Sequence, residues 1–209
     1  MKRKDIKERI KEHFFTFPMD KLRVRQIERK LSLSLPSVIR YTKELESEGI
    51  LQSFVLGEAK FYTSNRASKE FLRKKMMSNI SILWDSGLID YLIFEYSNPA
   101  IILFGSYGKG EDMENSDIDL YVELPKKIKI DIKDFEKKLQ RPIQVFQHKS
   151  LSEIKNKELA NSIINGIRLN GFIEVFNNVG RMYKKRSGSQ NNTEQIKGYL
   201  PNKYGKRKN

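Results

Sequence analysis

The chain has 209 residues, a formal net charge of +14 and a hydrophobic share of 38%, enough for one large domain or two small ones with real cores. Cysteine is absent and only His13 and His148 are present, which excludes disulfides, thiolate chemistry, Cys-based zinc sites and His-rich metal sites. No run of about 18 apolar residues occurs, so no membrane span is expected; the charged start Met1-Lys2-Arg3-Lys4-Asp5 lacks the apolar stretch of a secretion signal, and a cytoplasmic protein is the expectation.

The charge is unevenly spread. Residues 1–65 carry a balance of +5, residues 66–180 of +1 and residues 181–209 of +8. A basic excess at both ends points to a polyanionic partner, most often nucleic acid. Simple solubility is the competing explanation.

In chain order, Ile6, Ile10 and Phe14 recur at helical spacing with charge between them. Leu22, Ile27 and Leu31 fit a second, shorter helix with Asp20 as its expected N-cap. "LPSVIRYTKELESEGIL" predicts a third helix, with Ser34 as cap, Pro36 in the first turn and Gly49 as the stop. Val38, Leu45 and Ile50 should pack inward. "LQSFVLGEAKFYTSN" then holds two strand-like runs that turn at Gly57-Glu58. Three short helices and a hairpin over residues 1–65 resemble a winged helix-turn-helix domain. That resemblance implies DNA binding, with Ser37, Arg40, Tyr41 and Lys43 exposed on the recognition helix. A winged helix that docks protein instead of DNA is the alternative.

Residues 66–97 read as a helical linker and the first helices of a second domain. One helix should run to about Trp84 and another from about Ser86, around Gly87. Trp84 and the Leu88-Ile89-Leu92-Ile93 stripe are expected in a core, and Asn98-Pro99 ends the helical stretch.

The stretch "AIILFGSYGKGEDMENSDIDLYVE" carries the chemistry. Ala100 to Phe104 reads as a strand, and Gly105-Ser106 follows at its end. A strand that ends in Gly-Ser and opens a helix can present backbone N–H groups, the Ser106 hydroxyl and the Lys109 charge to phosphate. Ten residues separate Ser106 from Asp117, and Asp117 and Asp119 are expected two apart on a second strand and therefore on one face. Two like charges there are costly unless a hard cation such as Mg²⁺ joins them.

Gly-Ser, ten residues, then Asp-x-Asp on a strand resembles the DNA polymerase β-like nucleotidyltransferase superfamily, in its minimal branch. The flanking text is similar over residues 86 to 178, including a long final helix expected in "SLSEIKNKELANSIINGIRLNGFIEVF". The resemblance implies an α+β fold in which a mixed sheet with flanking helices, residues 98–180, follows the winged helix. It further implies Gly105, Ser106 and Lys109 on an NTP, and Asp117 and Asp119 as catalytic ligands of Mg²⁺. A hydroxyl of a protein, RNA or small molecule would attack the α-phosphorus. The family's third carboxylate, on a later strand, falls at Gln144 in "RPIQVFQH". Glu123, Asp131 and Asp134 are poor substitutes by position. By analogy with small members of the branch, a helical partner protein is also implied. The alternative is a DNA-binding regulator whose transferase-like domain only binds nucleotide or a partner. Residues 181–209, polar and basic, are expected to form a disordered tail that adds nonspecific attraction to phosphates.

Overall fold

The computed structural model describes residues 5–174. The expected basic tail, 181–209, lies outside the described residues.

Three helices open the fold: α1 (Ile6–Thr16), α2 (Val24–Leu31) and α3 (Leu35–Ser47). A hairpin follows, β1 (Leu51–Leu56) antiparallel to β2 (Ala59–Ser64), turning at Gly57-Glu58 as the sequence suggests. Ile10, Phe14, Ile27, Val38, Leu45, Ile50 and Tyr62 are buried together. An antiparallel bridge between Leu22 and Tyr62 ties the approach to α2 onto the hairpin. Two capping expectations need correction. Arg23, not Asp20, stands at the N-cap of α2. The Asp20 carboxylate is engaged elsewhere, accepting from His13 Nε2 and from Lys30 Nζ, both at 2.9 Å. Ser34 does occupy the N-cap of α3, but its hydroxyl donates to Ser37 Oγ at 2.7 Å rather than capping backbone.

Helix α4 (Lys69–Ser86) starts at Ser68, whose hydroxyl accepts from the Phe71 amide. Phe71, Lys75, Asn79 and Leu83, four apart on one face, are buried, as is Ser86 at its end. Phe71 and the partly buried Leu72 join the N-terminal core, and Leu83 joins the core of the sheet. Trp84, expected inside, is 37% exposed, because Leu83, one residue earlier, takes the inward position. Helix α5 (Leu88–Glu95) buries Leu88, Ile89 and Leu92.

The second sheet contains β3 (Ile101–Phe104), β4 (Ile118–Glu123), β5 (Ile143–His148) and β6 (Ile167–Asn170), in the order β5-β4-β3-β6. Strand β4 runs antiparallel to β3 and parallel to β5; β3 and β6 are antiparallel. The parallel pair needs a crossover, which α7 (Lys133–Leu139) supplies. Both faces of the sheet are covered. Ile101, Leu103, Ile118, Leu120 and Val122 share one core with α4 and α5. Ile102, Phe104 and Tyr121 face the other way, against Leu151 and Ile163.

The long helix expected over residues 150–176 is absent over its described part. A 3₁₀ turn at Leu151–Glu153, helix α8 (Lys157–Ile164) and β6 replace it. Asn156 starts α8 afresh by accepting from the Glu158 and Leu159 amides. After Asn165-Gly166, Ile167 and Leu169 alternate with Arg168 and Asn170, a period of two that pairs with β3. Among the described residues no helix is long and apolar enough to cross a membrane.

Candidate active site

The site forms where β3 ends. Phe104 on β3 lies opposite Asp119 on β4. The chain then turns through Gly105 into a one-turn helix, α6 (Gly105–Lys109), that packs against β4. Gly105 has φ +71°, in the left-handed region. A Cβ placed on it would sit 2.1 Å from Asp119 Oδ2. Only glycine lets this carboxylate rest against the turn.

Asp119 lies on β4, whereas Asp117, expected on the same strand, stands just before it, because β4 begins at Ile118; the charge of Asp117 nevertheless acts on Asp119. Asp119 is half-buried, and its carboxyl is raised above the ordinary carboxylate value, first by burial and then by the negative charge of Asp117. The charged form of Asp119 is thus disfavoured, and added positive charge would relieve it. Gln144 lies opposite Asp119 in the parallel register and donates from Nε2 to Asp117 Oδ2 at 2.5 Å. The expected third position is therefore beside the pair, and it holds an amide. Among the described residues no group of three or more His, Asp or Glu is arranged to hold a metal ion. The donor set is two carboxylates, hard oxygen ligands suited to Mg²⁺.

Ser106 stands in the first turn of α6, half-buried, and Lys109 is exposed at its end. The other acids are elsewhere. Glu123, at the far end of β4, accepts from the Tyr121 hydroxyl and the Leu151 amide. Asp134 pairs with Lys137 on α7, and the Asp131 carboxylate accepts from the Lys133 amide. Of the residues expected on the third helix, Arg40 is ion-paired with Glu44 at 2.8 Å and Tyr41 packs against the N-terminal core. Lys43 is exposed.

One buried cluster escaped the motif. Residues Gly110 to Asp117 link α6 to β4, and Asp112 in that loop is buried. Lys75, 1% exposed, places Nζ 3.2 Å from Asp112 Oδ1 and also donates to the Asp112 carbonyl. Asn79 donates to Asp112 Oδ1 at 2.8 Å and to the Tyr107 carbonyl at 2.9 Å. Arg141 sits 3.1 Å from Asp112 Oδ2, an ionic contact without hydrogen-bond geometry, and donates to the Met113 and Ser116 carbonyls. Gly110, at φ +72°, lets the loop approach α4; a Cβ there would be 2.3 Å from the Leu72 carbonyl oxygen. The loop that spaces Ser106 from Asp117 is thus clamped from both sides. The sequence did hold a signal: a lysine and an asparagine at four-residue spacing on the apolar stripe of α4.

Residues 86–170 match the family model of the nucleotidyltransferase domain. The match begins at the last residue of α4 and ends at the last residue of β6, so it contains the whole sheet and both carboxylates. It fits the polymerase β-like superfamily and supports nucleotidyl transfer as the general chemistry. No curated protein and no solved structure matches the chain. Lys75 and Asn79 lie before the matched nucleotidyltransferase domain, whereas Asp112 and Arg141 lie within it.

Proposed function

We propose that residues 86–170 transfer a nucleoside monophosphate from an NTP to a hydroxyl on a protein, RNA or small molecule, with Mg²⁺ as cofactor. The observation that carries this reading is the Asp119 carboxylate, seated against Gly105 and within reach of the charge of Asp117, inside the matched domain. Asp117 and Asp119 would hold Mg²⁺, since two hard oxygen donors beside a glycine turn leave a site that asks for positive charge. Bound there, the ion would neutralise phosphate charge as it develops. Gly105 and Ser106 would receive the triphosphate, and Lys109 would add a cation at its edge. The acceptor oxygen would form a bond to the α-phosphorus while the bond to the pyrophosphate leaving group breaks. The acceptor proton needs a base, and the Gln144 amide cannot serve as one.

The test is incubation with each labelled NTP and Mg²⁺, with cell lysate as the source of acceptors. Transfer of label by the wild type, lost in Asp117→Asn/Asp119→Asn, supports the reading. Gln144→Glu or Gln144→Asp should then raise the rate, because general-base assistance contributes about 10²–10⁴-fold. If wild type is already fast and both substitutions slow it, another group acts as base.

A second reading concerns the N-terminal unit, and the helix triplet with its hairpin favours it. Residues 1–65 would act as a winged helix on DNA, and with an amide at the third acid position the nucleotidyltransferase domain would then bind nucleotide or a helical partner protein without turning it over. No label transfer with any NTP, together with retained Mg-NTP binding, would favour this regulator.

A further inference from the structure

We propose that the groove between α2 and the hairpin seats the phosphate backbone of duplex DNA, and that α3 contributes little sequence reading. This rests on the second reading above, that the N-terminal unit binds DNA, and it relocates the contact.

The groove has a volume of about 400 Å³ and is lined by Arg23, Arg25, Gln26, Arg29 and Lys60, with Val24 and Ala59 as its apolar floor. No acidic residue lines it. Lys21, Arg23, Arg25, Arg29 and Lys30 crowd one short segment whose acids are Glu28 and, just before it, Asp20, which is paired with Lys30. Arg25 and Arg29 are four apart on α2, so they share a face. Both are exposed, and neither has an ion pair or side-chain hydrogen bond among the described residues. Lys60 is held at the groove edge by Glu46 at 3.2 Å.

Helix α3 offers no comparable field. Arg40 and Lys43 are balanced by Glu44 and Glu46 within the same helix. Arg40 is committed to Glu44, Ser37 accepts from Ser34, and Tyr41 belongs in part to the core. Reading bases needs donors free to point into a groove; on α3 the Arg40 Nε is held by Glu44, which leaves Lys43 as the one exposed cation of the helix without such a bond among the described residues.

The hairpin favours duplex over single strand. Phe54 and Phe61 stack at 5.5 Å, which would suit an unpaired base. Yet Lys21 lies over Phe54 at 5.9 Å and Arg23 over Phe61 at 5.6 Å. The ring faces are taken, and the cations they hold stand at the groove's margin. Such a surface recognises a row of phosphates.

The experiment is fluorescence anisotropy of the full chain with short labelled duplexes of two unrelated sequences, and with one of the single strands, over a range of KCl. Arg25→Ala/Arg29→Ala should weaken both duplexes alike, by about tenfold or more. The slope of log affinity against log salt should shrink by about 2, one unit for each phosphate no longer neutralised. Arg25→Lys/Arg29→Lys, which keeps the charge, should retain the slope. Arg40→Ala/Lys43→Ala should leave both affinities near wild type. Circular dichroism checks that each variant keeps its fold. If the Arg25/Arg29 variant binds as wild type while the Arg40/Lys43 variant loses affinity, DNA lies on α3; the winged-helix reading survives and the groove assignment fails. Tighter binding of the single strand overturns the duplex assignment. Absence of salt-dependent binding by wild type removes both the DNA reading and the groove with it.

Discussion

The N-terminal helices with their hairpin and the region from α4 to β6 place charge in opposite ways. In the first region charge stays near the surface and pairs between helices: Lys7 of α1 meets Glu44 and Glu48, at 3.2 and 2.5 Å. Such pairs hold long side chains in high dielectric and contribute little. In the second region Lys75 and Asp112 form an ion pair with side chains 1% and 0% exposed, and Asp119 is half-buried beside another carboxylate. Buried charge is expensive, and here it is concentrated around one loop and one strand end. The contrast teaches where geometry matters. The surface pairs fasten helices that apolar contacts already hold, whereas the buried ones gather on the loop between the Gly105-Ser106 turn and the two aspartates.

The comparison breaks first, and most visibly, at the carboxylates. Asp117→Asn/Asp119→Asn should abolish Mg²⁺-dependent NTP binding in calorimetric titrations with each nucleotide, with little change in shape or volume. Equal affinity in this double variant would make the pair structural.

Next comes Lys75→Met. It strands Asp112, with only Arg141 left to pair it, and should lower stability by about 3–5 kcal/mol in urea unfolding. Lys74→Met on the same helix, whose partners Glu48 and Glu70 lie at 3.3 and 3.6 Å nearer solvent, should stay within about 1 kcal/mol. Similar losses for both would erase the distinction between the two kinds of charge. A further variant, Lys75→Met/Asp112→Leu/Arg141→Met, removes all three charges of the cluster. It should recover stability yet leave NTP affinity reduced if the clamp positions the loop.

Gly105→Ala should follow. The left-handed backbone alone makes an L side chain worse by about 1–2 kcal/mol, and the new methyl must also displace the Asp119 carboxylate. Weaker NTP binding than the stability loss explains, measured on the folded fraction, marks the displacement.

Asp119→Asn should shift stability in the other direction. Because the folded protein holds the Asp119 proton more tightly than the unfolded chain, stability falls as pH rises from the ordinary value of 3.8 through the raised one. At neutral pH that penalty is fully present, and the neutral amide removes it. A higher melting temperature in Asp119→Asn at neutral pH, absent at acid pH, is the expected result.

His13 gives the smallest effect and the N-terminal counterpart. It is buried between Phe14 and Phe17, and burial holds it below the ordinary histidine value despite its bond to Asp20. Stability from the neutral ring is present above 6.5 and is lost as pH falls from there through the lowered value. A melting temperature that stays flat over that interval would show His13 titrating as if exposed.

Local pattern was enough for much of this. Helix periodicity set α1 and α3, Gly57-Glu58 set the hairpin, and the strand–Gly-Ser–Asp-x-Asp spacing located the turn and the carboxylates, because each signal lies within a few consecutive residues. Where two local signals competed, the reading failed: apolar residues from 150 to 176 suit a helix, but pairing with β3 turns Ile167–Asn170 into a strand. Trp84 and Leu83 are equally apolar neighbours, and only the position of the sheet decides which one is buried.

The Gly-Ser turn and the Asp-x-Asp pair are legible in consecutive residues, since a motif's residues are its own. Tertiary structure alone decided what holds that motif in place. Lys75 and Asp112 are 37 residues apart, and Asp112 and Arg141 are 29. Their pairing depends on α4 lying along the loop and on β5 returning parallel beside β4. A charge records no partner in its own neighbourhood of sequence; it acquires one when burial removes water and leaves the nearest opposite charge as its only compensation.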